Sequence, residues 1–516
     1  MSDTQKNKIA AVIDIGSAAI KMRISQLRKD GIADLDYLEY PIPLGHDAYT
    51  NKNISIELIR EIIQVLNGFC ALMEEYGVTQ HRVVASSALR EAGNRIYVLD
   101  QIRIQNGLTV DILEDIENKS LIFNEAAMVL EQNPLSGSGA LIGYVGEGSI
   151  GVAVYENHRL SMTQNMKSGS VRLSDMFSAV AAETDRYDDI LEEYLKLLFD
   201  SVKRHLKGLD LSHLLIVGNE AFLLARIFKT EQKNGYYKIT KKKLFDLWQK
   251  LRGLSEARVS EEYGVTEEQA EQLCTSLAIY AKMSDFVSAD AFYVPVLGFW
   301  DSIIHTLLST KKEQAKNAVM QEHSTACAQV IAQKYGCDKA HYTRVCEYAS
   351  KMFGKLKSLH GLGPKEKLLL SMACTMEECG KFINIKNFEY STYQIIRHTS
   401  FIGLSKKDKH IVALITRYRS LRRPEEMDGK VYGLSPQDRL TVAKLNAIFR
   451  LADALDKSHK QRIGELSMSL SDNHFQVLAH TEDDLLLENW SFKESAVFFE
   501  NVYGIRAELI KRSNMI

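Results

Sequence analysis

The order of apolar and polar positions divides the chain into a strand-rich first part and a helix-rich second part. Lys8–Ile15 is an apolar run ending in Asp14-Ile15-Gly16-Ser17. Ile20–Leu27 alternates in part, and Asp34–Ile42 reads as a third strand. Ser55–Tyr76 places Leu58, Ile62, Val65, Leu66 and Met73 on one side, the period of a helix with one buried face. Ser55 stands at its N-cap and Gly77 at its stop. Arg82–Ser86 reads as a strand, Glu91–Gln105 as a helix ending near Gly107, Leu108–Leu113 as a strand and Glu117–Leu130 as a helix.

The same order restarts at Gly139. Ala140–Val145 is a strand ending at Gly146-Glu147-Gly148, followed by strands Ile150–Glu156 and Leu160–Asn165. Tyr187–Leu206 is a long helix with Gly208 as its stop, and Leu214–Val217 is a strand ending at Gly218-Asn219. Two such copies are the pattern of actin-like (ribonuclease H-like) α/β folds that bind nucleotides or transfer phosphate. After about Lys311 the pattern turns helical. Glu313–Tyr335, His341–His360, Lys365–Asn384, Lys406–Tyr418 and Pro436–Lys457 read as helices. Alternating segments Glu465–Leu470 and Phe475–Ala479 follow, then a helix Phe492–Lys511. The expected division is 1–133 and 134–311 for the two actin-like α/β domains and 312–516 for an all-α domain.

Composition adds three constraints. Only 7 of 516 residues are proline, well below the usual ~5%, which favours long uninterrupted helices. Lys+Arg is 64 and Asp+Glu 66, a formal charge of −2. No global field draws nucleic acid or a membrane surface, so an anion site has to be local. The seven cysteines form no CxxC pair. Reduced thiols in a cytoplasmic protein are expected. The polar MSDTQKNK has no signal-peptide h-region behind it, and no run approaches the ~18 residues of a membrane span.

Three segments carry candidate phosphate chemistry. Gly16-Ser17 turns between two strands, where backbone N–H groups can face a phosphate. Asp14 at the strand end is a candidate Mg²⁺ ligand. Gly146, Gly148 and Ser149 form the matching turn of the second copy. Arg90, in a strand-to-helix passage, is a candidate phosphate clamp. The bland readings are hairpin turns and a surface arginine.

With these blocks the chain resembles the exopolyphosphatase/guanosine pentaphosphate phosphohydrolase (Ppx/GppA) family. The resemblance rests on Asp-Ile-Gly-Ser at 14–17, SSALREAGNR at 86–95, SGSVRLSDMF at 168–177 and RLADALDKSHKQ at 450–461, in that order. It implies an actin-like pair of domains, a helical HD-type domain, and Mg²⁺-dependent removal of terminal phosphate from polyphosphate or guanosine pentaphosphate. A homodimer is expected with it.

The family pattern breaks where carboxylates are needed. Tyr144 stands for an Mg²⁺-associated aspartate, Gly151 for an active-site glutamate and Asn118 for the catalytic glutamate; Ala18 replaces a loop asparagine. Asparagine cannot act as a base, and a neutral tyrosine is a poor Mg²⁺ ligand. Losing a base typically costs ~10²–10⁴-fold. Glu117, Glu114 and Glu147 are the carboxylates that could be relocated into the role. In the helical region Glu377-Glu378 stand for the His-Asp pair, Tyr390 and Arg419 for histidines, and Asp453 alone remains of the metal set. That region is therefore expected to lack chemistry of its own. Basic runs at 238–243 and 417–423 are candidate anion-channel linings or plain solvated faces. The expectation is a divergent member that binds polyphosphate or guanosine polyphosphate with weak or lost hydrolysis. An active exopolyphosphatase and a non-catalytic scaffold are the alternatives.

Overall fold

The computed structural model describes residues 8–512 except 29–30, 86, 114, 136–138, 184–186, 253, 296–302, 305–306, 309–313, 402, 421–433 and 472. At 31, 115–118, 175, 178–183, 187–188, 219, 268 and 314–321 only the backbone course is described. The chain divides into two compact units, Met1–Met320 and Gln321–Ile516.

The first unit is built on two sheets. One contains β1 (Ile9–Ile15), β2 (Ala19–Arg28), β3 (Gly31–Pro41), β4 (Gln80–Ala85) and β5 (Val110–Ile112), in the order β3-β2-β1-β4-β5. The other contains β6 (Gly139–Val145), β7 (Ile150–Glu156), β8 (Arg159–Met166), β9 (His213–Val217), β10 (Gln232–Lys233), β11 (Tyr236–Thr240) and β12 (Ala291–Pro295), in the order β10-β11-β12-β9-β6-β7-β8. The internal repeat is exact at the centre of each. β1 pairs antiparallel with β2 and parallel with β4; β6 pairs antiparallel with β7 and parallel with β9. β1 reads as an unbroken apolar run because both its faces are covered. Ala11, Ile13 and Ile15 enter one core with Ile62 and Leu66, while Ala10 and Val12 pack with Ile303, Ile304 and Leu308.

The predicted helix over 55–76 forms as Ile56–Glu75 and stops at Gly77, whose φ is +64°. The single helix expected over 91–105 is instead two, Ser87–Glu91 and Arg95–Asn106. Asn94 makes the break. Its side-chain amide donates to Ile54 O at 2.8 Å and accepts from Ile54 N at 3.0 Å, while Gly93 N donates to Lys52 O at 2.7 Å. The distinctive AGN triplet therefore pins the helix start to a segment forty residues earlier.

The second unit packs helices Lys339–Lys355, Pro364–Met376, Phe388–His398, Lys406–Arg417, Pro436–Ala454 and Leu486–Tyr503. Pro436–Ala454 is buried almost all round from Leu445 to Ala454, as suits a central helix. The unit is not all-α. β13 (Glu465–Leu470), β14 (His474–His480) and β15 (Arg506–Arg512) form a three-stranded sheet, with β15 parallel to β14. The last helix ends at Gly504, with φ +71°, and the expected helical continuation is strand β15. The helix expected over 365–384 stops at Met376. Gly380 then packs against the next helix, with its N–H donating to Thr392 Oγ1 at 2.9 Å.

A Cβ on Gly380 would lie 2.7 Å from Thr392 Oγ1 and overlap Phe388 O. Overpacking of this kind costs about 1–3 kcal/mol. Gly380→Ala is expected to lower the stability of the second unit by that amount, read from the urea midpoint at unchanged slope.

Candidate functional site

The two hairpin turns approach each other within the first unit. Gly148 of the β6–β7 turn lies against the first sheet's lobe: a Cβ there would be 3.2 Å from both Ser87 Oγ and Tyr49 Oη. Ser17, at the β1–β2 turn, completes a hydroxyl cluster, with Oγ 3.0 Å from Tyr49 Oη and 3.0 Å from Ser87 Oγ. Arg172 bridges the same gap, ion-pairing with Glu91 and lying over the Tyr49 ring at 5.3 Å. The sequence-predicted residues Ser17 and Gly148 are thus brought together with Tyr49, Ser87 and Arg172, which were not candidates from the sequence.

The glycines shape the turns more than they donate. Gly16 N is bonded to Ala19 O at 3.0 Å, and Gly146 N to Ser149 O at 3.1 Å. Among the described residues, the N–H groups of Ser17, Ala18 and Gly148 make no bond to protein. These three are the donors left for a phosphate. The helix beginning at Ser170 is spent on the second turn: Ser170 N donates to Gly146 O at 3.0 Å and Arg172 N to Glu147 O at 3.1 Å. Gly169 is required at that contact, because a Cβ would overlap backbone atoms of Gly146, Glu147 and Ser149. Arg90 Nη1 donates to Leu113 O at 2.9 Å, tying the end of β4 to the segment after β5.

Carboxylates gather at the strand ends. Asp14 lies opposite Lys21 in the β1–β2 register. Asp14 keeps some exposure to the cleft but is ringed by protein, and burial pushes its carboxyl up to about 7; Lys21 opposes the rise and Glu147 adds to it. Glu220 follows the Gly218-Asn219 turn after β9 and is 5% exposed. Burial pushes it too up to about 7, with Glu147 adding and Lys21 opposing. Its Oε2 has no hydrogen-bond partner, and neither does the nearby Tyr280 Oη. Gly218 is held at φ +132°, where a Cβ would sit 2.6 Å from Val145 O. Asp14, Glu147 and Glu220 therefore share one electrostatic neighbourhood. Glu117 and Asn118 lie in helix Asp115–Gln132, but their side chains fall outside the described residues, as does Glu114 entirely.

Lys119 fills the space beside Gly151. It is 3% exposed, and its Nζ donates to Ser149 Oγ at 2.7 Å and to Asn165 Oδ1. A Cβ on Gly151 would meet Lys119 Cδ at 2.7 Å and Phe123 Cζ at 2.9 Å. Tyr144 lies beneath Gly146, with its ring centroid 5.8 Å from Lys119 Nζ. Lys119 and Glu220 carry no motif in the sequence. The one signal was position: Lys119 adjoins Asn118, and Glu220 follows a glycine turn at a strand end.

The second unit assembles more than Asp453. His341 Nε2 lies 2.9 Å from Glu377 Oε1 and 3.5 Å from Asp453 Oδ1, and Nδ1 lies 2.9 Å from Asp456 Oδ2. Arg419 Nη2 is 2.8 Å from both Asp453 oxygens. Burial alone would push the His341 imidazole down, but bonds to Asp453, Asp456 and Glu377 raise it to about 12. Burial would raise Asp453, yet Arg419, His341 and Lys457 hold it well below the usual range. Arg419 is thus part of an interior cluster rather than an anion channel. Arg422 and Arg423 of the same basic run lie outside the described residues.

The raised Asp14 and Glu220 carboxyls have a defined sign. Their stabilising contribution is complete below the unfolded values of 3.8 and 4.5 and is lost as pH rises through about 7. In metal-free buffer, Asp14→Asn and Glu220→Gln are expected to raise the melting temperature at pH 8 by roughly 2–4 °C each. That gain should vanish at pH 4, as followed by thermal unfolding across the range.

Comparison with known proteins agrees with this geometry. Residues 33–309 match the model of the Ppx/GppA phosphatase family, and residues 324–494 match Ppx/GppA phosphatase, domain III. A guanosine-5'-triphosphate,3'-diphosphate pyrophosphatase of Photobacterium profundum is 20% identical over 484 residues, covering 90% of each chain. One from Aliivibrio fischeri is 20% identical over 505 residues, covering 93% of this chain and 95% of its own. Among solved structures, an exopolyphosphatase from Cytophaga hutchinsonii superposes with a TM-score of 0.52 at 17% identity, over 58% of this chain and 97% of that one. The Aquifex aeolicus Ppx/GppA family member gives 0.50 at 18% identity, over 58% and 97%. These two support the actin-like fold. Matched across more than half its length by the family's own model, the chain belongs to the Ppx/GppA phosphatase family.

Proposed function

We propose that the cleft binds a chain of linked phosphates, inorganic polyphosphate or a guanosine polyphosphate, and hydrolyses it slowly or not at all. The observation that carries this reading is Lys119. Its ammonium is buried between Ser149 and Asn165, in the space vacated at Gly151. An ammonium donates three hydrogen bonds and accepts none. It can balance phosphate charge, but it cannot take a proton from water. With Ser17, Ala18 and Gly148 N–H and Lys21, it makes a site suited to holding an anion.

Mg²⁺ fits the same cleft. Hard oxygen donors from Asp14, Glu147 and Glu220 suit it, and the buried Glu220 Oε2 lacks a partner. Bound there, Mg²⁺ would neutralise charge on phosphoryl oxygens. A second reading, real turnover by a relocated carboxylate, draws on Glu220. A buried carboxyl held near neutrality is in the range that suits a general base. The seven cysteines are all free of disulfides, which supports a cytoplasmic setting. No described helix is long and apolar enough to cross a membrane.

Polyphosphate with Mg²⁺ is expected to raise the melting temperature, as a ligand at 100 times its Kd contributes ~2.7 kcal/mol. Phosphate release should be no faster than in Asp14→Ala. Lys119→Met should weaken binding by about tenfold or more, the loss of a charge-assisted hydrogen bond. Fast release abolished by Glu220→Gln would establish the second reading. No thermal shift and no release would sink both and leave a scaffold.

A further inference from the structure

Two groupings in the second unit place donor atoms close enough to share an ion: His341 with Glu377 and Asp453, and His341 with Glu378 and His459. An HD-type resemblance implies a metal at such a place. The donors present do not fit one, because they are already spent on one another.

In the first grouping, both His341 nitrogens face carboxylate oxygens at 2.9 Å, Glu377 on one side and Asp456 on the other. An ionised carboxylate only accepts, so both nitrogens carry protons and neither offers a lone pair. A metal ligand needs that lone pair. Arg419 Nη2 takes both oxygens of Asp453 at 2.8 Å. Its Nη1 lies 3.3 Å from Glu377 Oε2, an ion contact not aligned for a hydrogen bond. Lys457 adds a second cation to Asp453 at 3.3 Å. In the second grouping, the His341 and His459 rings are stacked, with centroids 3.7 Å apart and planes 8° from parallel. Imidazole donates within its own ring plane, so stacked rings do not aim at one point. Glu378 is paired with Lys381 and lies 3.4 Å from His459 Nε2.

We propose that the Arg419 guanidinium is the resident cation of this cluster, replacing a divalent metal, and that a metal site exists here only once Arg419 is removed. Arg419 enters from the end of helix Lys406–Arg417 and joins the ends of two others, Pro364–Met376 and Pro436–Ala454. Its planar fork matches one carboxylate and touches a second. Taking it away leaves Glu377 Oε2 and the Asp453 carboxylate, both buried, without that charge. Hard oxygens so exposed are what Mn²⁺ takes.

The test uses the full chain and Mn²⁺ as probe. Wild type and Asp453→Asn should bind equal amounts of Mn²⁺ by elemental analysis after equilibrium dialysis, since any bound ion sits elsewhere. Arg419→Ala should melt lower than wild type, bind one additional Mn²⁺ per chain and recover melting temperature with it. The added ion should disappear in Arg419→Ala combined with Asp453→Asn. Arg419→His, which keeps bulk and supplies a ligand, serves as the second gain-of-site variant in case Arg419→Ala does not fold. One equivalent of metal in the wild type that Asp453→Asn loses would overturn the proposal. So would folded Arg419 variants that gain no Mn²⁺.

Discussion

A carboxylate removed from water needs a positive partner, and this chain draws those partners from its own side chains. Asp453 is held by Arg419 and Lys457, and Glu377 lies against the same arginine. A charge left buried and unpaired costs several kcal/mol, so each pairing fixes the elements that bring it. Arg419 draws three helix ends together in the second unit. Where the pairing is incomplete, at Asp14 and Glu220, the carboxyl shifts toward its neutral form. The places where charge is balanced and where it is not mark out the architecture and the candidate chemistry alike.

The actin-like core was legible because its central strands are buried on both faces. β1 and β6 therefore announce themselves as apolar runs, and each ends in a glycine turn. The expected helix over 91–105 was misjudged because its break is imposed by Asn94 on Ile54, a partner no local pattern reveals. Past Gly504 a strand replaces the expected helix, because a stop signal and the alternation of 505–510 outweigh helix propensity.

Candidate residues with a local signature are legible in the sequence: Asp14, Ser17, Gly148 and Ser149 lie in recognisable turns. Those without one were not. Lys119 and Glu220 are single residues in helices whose meaning comes only from what surrounds them. His341 was passed over for the same reason. Its partners Glu377 and Asp456 lie 36 and 115 residues away, and in place of the usual histidine-aspartate pair the chain has two glutamates.

The packing at Gly151 limits which side chains that position can take. Lys119 and Phe123 occupy the volume that any side chain at 151 would need. A glutamate introduced there alone would collide with both before it could act as a ligand. Shortening Lys119 first would strand Ser149 and Asn165 without their shared donor. Either change made singly thus costs stability. A glutamate at 151 therefore demands a coordinated replacement at 119 and cannot be accommodated by one change alone.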